Sequence, residues 1–163
     1  MPAATAQAPE PAKIEDIAQM TGRELMQALI DGRLPPPSIA QTLSFRIVEV
    51  GDGRAAFEGE TGAHLLNPLG GVHGGWALTL IDSATGCAAH STLPAGFGIA
   101  TIETKVNFTR PINKNTGRVR AEAHVVGRGR QIISAEARVT DSTGRVLAHG
   151  TSTVMVVSLK GEG

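Results

Sequence analysis

Six short segments alternate apolar and polar residues, while residues 72–92 are rich in alanine and leucine and contain no proline. Short turns separate most of the alternating segments. These three observations predict an α+β fold in which an antiparallel sheet of about six strands wraps one long central helix.

Taken in order, residues 1–12 are Ala/Pro-rich with almost no large apolar side chain and read as a disordered tail. Ile14, Ile17, Met20, Leu25, Ala28 and Leu29 fall close to helical spacing, so residues 14–34 are expected to form one amphipathic helix. Asp31-Gly32 and Pro35-Pro36-Pro37 end it, and residues 13–39 become a helix with its linker. The main domain then runs over 40–158. Leu43, Phe45 and Ile47 alternate, and Gly51-Asp52-Gly53 turns the chain into 54–60 as a hairpin. The 72–92 segment stops before Pro94, and Gly74, Gly75 and Gly86 would let strand backbone approach it closely. Four more strands follow at 98–109, 117–126, 131–140 and 145–158. In the first of them Ile102, Val106 and Phe108 should share one face, with Thr101, Glu103, Lys105 and Asn107 on the other.

Composition limits the function. The chain has 163 residues, with fifteen basic and fifteen acidic side chains balancing to zero. One domain with one core is expected, and no basic excess points to nucleic acid. Four Phe, one Trp and no Tyr leave little for stacking on bases. The one cysteine, Cys87, excludes a disulfide framework or a thiolate cluster. His64, His90, His124 and His149 lack metal-site spacing, so no metal is expected. No apolar run approaches the roughly 18 residues of a membrane span, and no signal-peptide core is present, so the expected setting is cytoplasmic.

The chemistry concentrates in Asn67-Pro68-Leu69-Gly70-Gly71-Val72-His73-Gly74-Gly75, with Asp82 nine residues after the histidine. Glycines at a helix N-terminus leave N–H groups open to an incoming oxygen. A carboxylate among Leu78, Leu80, Ile81, Ala84 and Cys87 is costly to bury without a partner, and a buried carboxylate in such a helix is a candidate for catalysis. Together they read as a site for attack on a carbonyl. His73 and Asp82 lie about 13 Å apart along one helix axis. One small carbonyl cannot touch both, so they serve different jobs or meet across a two-fold axis. A site shared between two chains is expected.

The pattern N-x-x-x-x-x-HGG-x-x-x-x-x-x-D resembles that of hotdog-fold acyl-CoA thioesterases of the phenylacetate-degradation (PaaI-like) group, carried by Asn67, His73, Gly74, Gly75 and Asp82. The resemblance spans about residues 40–157 and includes the Val106-Asn107-Phe108-Thr109-Arg110-Pro111 strand end. It implies hydrolysis of an acyl-CoA at the interface of a homodimer, which in this group often pairs into a homotetramer. It implies that the Gly74 N–H and the Asn67 amide polarise the thioester carbonyl while His73 holds the loop. Asp82 of the facing subunit would activate water or attack directly, and Thr101 would help position the water. No cofactor is implied, because coenzyme A is part of the substrate. Its phosphates call for cations, for which Arg110, Arg128 and Arg130 are candidates. Gly75 and Trp76 are expected at the substrate, with His64, Leu78 and Phe97 as further pocket-lining candidates. Two other activities fit the same fold: a hydratase or dehydratase of enoyl thioesters, and a non-catalytic acyl-CoA-binding module.

Overall fold

The computed structural model describes residues 10–160, so most of the expected 1–12 tail lies outside the described residues. The expected helix over 14–34 is interrupted. It forms as α1 (Ile14–Ile17) and α2 (Gly22–Ile30), followed by α3 (Ser38–Thr42). The break falls at Thr21, which caps α2: its hydroxyl accepts the Glu24 N–H while the Glu24 carboxylate accepts the Thr21 N–H. This reciprocal pair starts a new helix where periodicity alone reads one continuous run. Leu25, Met26 and Ala28 are buried. The helix packs on the first strand and on the end of the long helix. Gly22 lies so close there that a Cβ would overlap the His90 carbonyl.

Six strands form one antiparallel sheet: β1 (Phe45–Gly51), β2 (Arg54–Glu60), β3 (Phe97–Phe108), β4 (Arg118–Arg128), β5 (Ile132–Asp141) and β6 (Val146–Ser158). The spatial order is β1-β2-β4-β5-β6-β3. The sheet curls around α4 (Gly74–His90), which packs against all six strands. This is the hotdog architecture that the alternation and the one long greasy segment predict.

Helix α4 buries Trp76, Ala77, Leu80, Ile81, Ala84, Thr85, Ala88 and Ala89. The positions recur at one-turn spacing and form a broad stripe against the sheet. Leu80 and Ile81 are fully buried, and each such side chain contributes about 1.5–3 kcal/mol. The opposite face carries Leu78, Thr79, Asp82 and Ser83, which remain half-buried. The helix is thus covered on one side by its own sheet, less completely than its composition suggests.

Strand β3 is an edge, and its alternation is not the simple one expected. A bulge between Thr101 and Glu103 gives two residues of β3 to one of β6. It brings Thr101 and Thr104, three residues apart, onto the same carboxylate. Ile102 and Phe108 remain exposed on this unpaired edge. At Gly150, β6 lies close to two neighbours: a Cβ would overlap the Lys105 carbonyl of β3 and press on Ile81 of α4. The expected strand-backbone contacts at Gly74 and Gly86 are instead with the Phe108 and Ile99 side chains, and Gly75 faces the His73 ring.

Among the described residues no helix is long and apolar enough to cross a membrane.

Candidate active site

The loop before α4 is built around Asn67. Its Oδ1 accepts the N–H groups of Leu69 (2.9 Å) and Gly71 (3.2 Å), and its backbone N–H donates to the Gly71 carbonyl at 2.8 Å. Gly70 closes the turn at φ +83, a conformation that favours glycine. With Oδ1 committed to the loop, Nδ2 is the amide atom left to donate. Nδ2 meets no acceptor among the described residues and remains a free donor.

His73 is the N-cap of α4. Its Nδ1 accepts the Gly75 N–H at 2.9 Å, which requires its proton on Nε2. Its own N–H donates to the Leu65 carbonyl, and the Val72 N–H donates to Ile112. Of the first helical amides, Gly75 is therefore bonded to His73 and Trp76 to the His73 carbonyl. The Gly74 N–H has no partner among the described residues. Gly74 also lacks a Cβ where the Phe108 ring lies over it; a Cβ there would sit 2.9 Å from the ring tip. Asn67, Gly71, His73, Gly74 and Phe108 line an open cleft of about 450 Å³, with Arg110, Pro111 and Ile112 along it. The cleft therefore offers an oxygen two unspent donors, the Gly74 N–H and Asn67 Nδ2.

Asp82 is elsewhere. It lies two turns further along α4, about 12 Å from Gly74 on the axis, and does not line the cleft. Its Oδ1 accepts the hydroxyls of Thr101 at 3.0 Å and Thr104 at 2.9 Å. Oδ2 carries no hydrogen bond among the described residues. Thr104 in turn meets Ser152 at 2.9 Å, and Ser152 meets Thr85 at 2.7 Å. Thr104, Ser152 and Thr85 are absent from the sequence reading because a strand serine, a strand threonine and a helix threonine are unremarkable in isolation.

The expected substrate-binding residues divide. Arg110 stands on the cleft rim and donates to the Val146 carbonyl at 2.8 Å. Arg128 and Arg130 are not beside it. Trp76, in the first turn of α4, packs at Gly59, which pairs with Val119 near the start of β4; Arg128 ends that strand. The pairings Thr101–Val154, Val154–Ile133 and Ile133–Arg128 put Arg128 on the cross-strand row of Thr101. It thus belongs to the Asp82 end of the sheet. Trp76 is a core residue: it is 3% exposed, and its indole N–H donates to the Leu43 carbonyl at 2.7 Å. A ring so enclosed cannot line the cleft. His64 bonds the Ser44 hydroxyl at 2.9 Å and is outside the cleft. Leu78 and Phe97 do not line it either.

Cys87, one turn beyond Asp82 on α4, is not a competing nucleophile. Burial, and then the Asp82 charge, push its thiol up to about 12, so it stays protonated near neutrality. Among the described residues no group of three or more His, Cys, Asp or Glu side chains converges as a metal site.

Comparison with known proteins adds to this geometry. A family model described as the thioesterase superfamily matches residues 69–148, which include His73, Gly74 and Asp82. A candidate esterase of Halobacterium salinarum is 43% identical over 72 residues, covering 43% of this chain and 46% of that protein. The chain thus spans about half the length of that curated relative. The 1,4-dihydroxy-2-naphthoyl-CoA hydrolase of Listeria monocytogenes is 25% identical over 118 residues, covering 72% of this chain and 94% of the hydrolase. Among solved structures, a phenylacetic acid degradation-related protein of Ralstonia eutropha JMP134, described as a candidate thioesterase, superposes with a TM-score of 0.72. It is 27% identical, with 80% of this chain and 98% of that chain covered.

Proposed function

This chain belongs to the thioesterase superfamily with a hotdog fold, and on that premise we propose that it hydrolyses an acyl-CoA thioester to the free acid and coenzyme A. The observation that carries the reading is the division of the site. The unspent donors, the Gly74 N–H and Asn67 Nδ2, share one cleft, while the Asp82 carboxylate lies beyond reach on the same helix. A homodimer with antiparallel α4 helices brings each cleft to the other protomer's Asp82, and does so twice. The half-buried Leu78, Thr79, Asp82 and Ser83 face and the unpaired β3 edge with Ile102 and Phe108 favour such a partner. Pairing of such dimers into a tetramer is part of the same proposal.

In this arrangement the thioester oxygen accepts hydrogen bonds from Gly74 and Asn67. Asp82 takes a proton from water as the water oxygen bonds to the carbonyl carbon, or its carboxylate attacks that carbon directly and water then releases the acid. The C–S bond breaks and the coenzyme A thiolate leaves to take up a proton. Preorganised donors at the developing oxyanion typically lower the barrier by about 3–4 kcal/mol each. His73 contributes by holding the Gly75 N–H, which fixes the first turn of α4 and leaves the Gly74 N–H free. Thr101, bonded to Asp82 Oδ1, aims the carboxylate. Arg110 on the cleft rim, and Arg128 and Arg130 of the protomer that supplies Asp82, are cations within the composite mouth for the coenzyme A phosphates. The cytoplasmic setting belongs to the same proposal.

The experiment is release of free thiol from a panel of aliphatic and aryl acyl-CoAs. Turnover on at least one member is expected. A folded dimer inert toward the whole panel would refute the reading.

A further inference from the structure

The inward face of β6 runs Ala148, Gly150, Ser152, Val154, and Ser152 is its polar member at 2% exposure. Across from it on α4 stands Thr85, fully buried and the polar member of a stripe of Ala and Leu. Two hydroxyls placed where alanine and valine would fill the space are costly unless they bond to something. Thr85 donates one turn back to the Ile81 carbonyl at 2.8 Å and also meets Ser152, and Ser152 leads through Thr104 to the Asp82 carboxylate.

The proton inventory fixes the direction. An ionised Asp82 Oδ1 only accepts, so the single proton of Thr104 is spent on it at 2.9 Å. At the 2.9 Å contact between Thr104 and Ser152, Ser152 must then be the donor. Its proton is now spent as well, so at the 2.7 Å contact Ser152 accepts from Thr85, whose single proton is shared with the Ile81 carbonyl at 2.8 Å. Two hydroxyls, Ser152 and Thr104, thus donate in series from the core toward one oxygen of Asp82, with Thr85 behind Ser152. Such a series polarises each member in turn. Thr101 donates to the same oxygen from the exposed side.

We propose that the Ser152–Thr104 pair, backed by Thr85, is a positioning device for Asp82, pinning Oδ1 and its rotamer so that Oδ2 is the oxygen presented to the substrate water or thioester carbon. The inference rests on the thioesterase reading above. Thr104 and Ser152 are positioning residues, since they act through Asp82 and do not touch the cleft.

The test is steady-state kinetics on the acyl-CoA that the wild type turns over, with Thr104→Val, Thr104→Ser and Ser152→Ala. Thr104→Val keeps the shape and the β-branch but removes the donor. It is expected to lower kcat about tenfold, the scale of one hydrogen bond to a charged group, and to leave KM within about twofold. Thr104→Ser restores most of kcat, because the hydroxyl returns. Ser152→Ala, which suits the packed inward row and should fold, lowers kcat several-fold, also at steady KM. An active wild type matched in kcat by Thr104→Val and Ser152→Ala overturns this inference alone. So does a loss confined to KM, or a failure of Thr104→Ser to rescue. A folded wild type without turnover on any acyl-CoA overturns both this inference and the reading beneath it.

Discussion

The two ends of helix α4's polar chemistry are held by opposite means. At the N-terminus, Asn67, Gly70, His73 and Gly74 are fixed by backbone: each side-chain acceptor is saturated by a main-chain N–H, and what remains free is an amide. Two turns on, Asp82 is fixed by side chains: Thr101 and Thr104 of β3 bond its Oδ1, and Ser152 of β6 stands behind Thr104. Donors that must meet a developing oxyanion benefit from the stiffness of a capped helix end. The hydroxyl groups on Asp82 orient one carboxylate oxygen and leave the other open. The contrast explains why substitutions at the two ends should fail differently.

The largest effect is expected at Asp82. Asp82→Ala should lower kcat by at least about 10²-fold, the general range for loss of a positioned acid–base group, while circular dichroism and dimer size are unchanged. Activity within a factor of two of wild type would remove Asp82 from the chemistry. The donor end offers a sharper pair. Gly74 is the first helical residue, and His73 before it sits at φ −60, ψ 132, a conformation compatible with a following proline. Gly74→Pro deletes the N–H, whereas Gly74→Ala keeps it and adds a similar Cβ against the Phe108 ring. Measured against Gly74→Ala, Gly74→Pro should lose about 10²-fold in kcat. Equal rates in the two variants would mean that this amide is not a donor to the reacting oxygen.

A smaller effect, on stability, is expected at a turn that neither lines the cleft nor bonds Asp82. Asp141 closes the β5–β6 turn, accepting from the Thr143 hydroxyl (2.7 Å), the N–H groups of Thr143 (2.9 Å) and Arg145 (3.1 Å), and the Arg145 side chain. The Thr143 hydroxyl bond chiefly, and the bonds from Arg145 with it, hold its carboxyl well below the usual carboxylate range. The unfolded chain takes up this proton near the ordinary value and the folded chain only at lower pH. The stabilisation is therefore full above the ordinary carboxylate range and is lost as pH falls through the folded value. Asp141→Asn should lower Tm at pH 7, and the gap to wild type should narrow on acidification. A gap that is constant with pH would assign the loss to packing.

The fold and the donor end were legible in the sequence, because both rest on patterns along the chain. Alternation located the six strands, and the spacing of Asn67, His73, Gly74 and Asp82 singled out the residues on which the proposed site rests. The distance argument for a split site also needed no coordinates. What escaped depends on tertiary contacts. The Thr21–Glu24 capping box divides a run whose apolar spacing looks continuous. The bulge after Thr101 shifts β3 out of simple alternation and brings Thr104 to Asp82. Trp76, adjacent to the motif, turns inward because bare Gly59 leaves room for its ring and the Leu43 carbonyl takes its N–H. Arg128 at the end of β4 and Arg130 on the turn after it have a place relative to the cleft that is set by strand order.

The most direct test of a composite site is to mix two defective chains. A Gly74→Pro protomer retains Asp82, and an Asp82→Ala protomer retains the Gly74 donor. In a hybrid dimer, one of the two sites regains both groups. Differently tagged chains, co-expressed and purified as the hybrid, should therefore recover about half of wild-type kcat per dimer from two nearly inactive parents. Hybrid dimers as inactive as their parents would contradict catalysis shared between protomers.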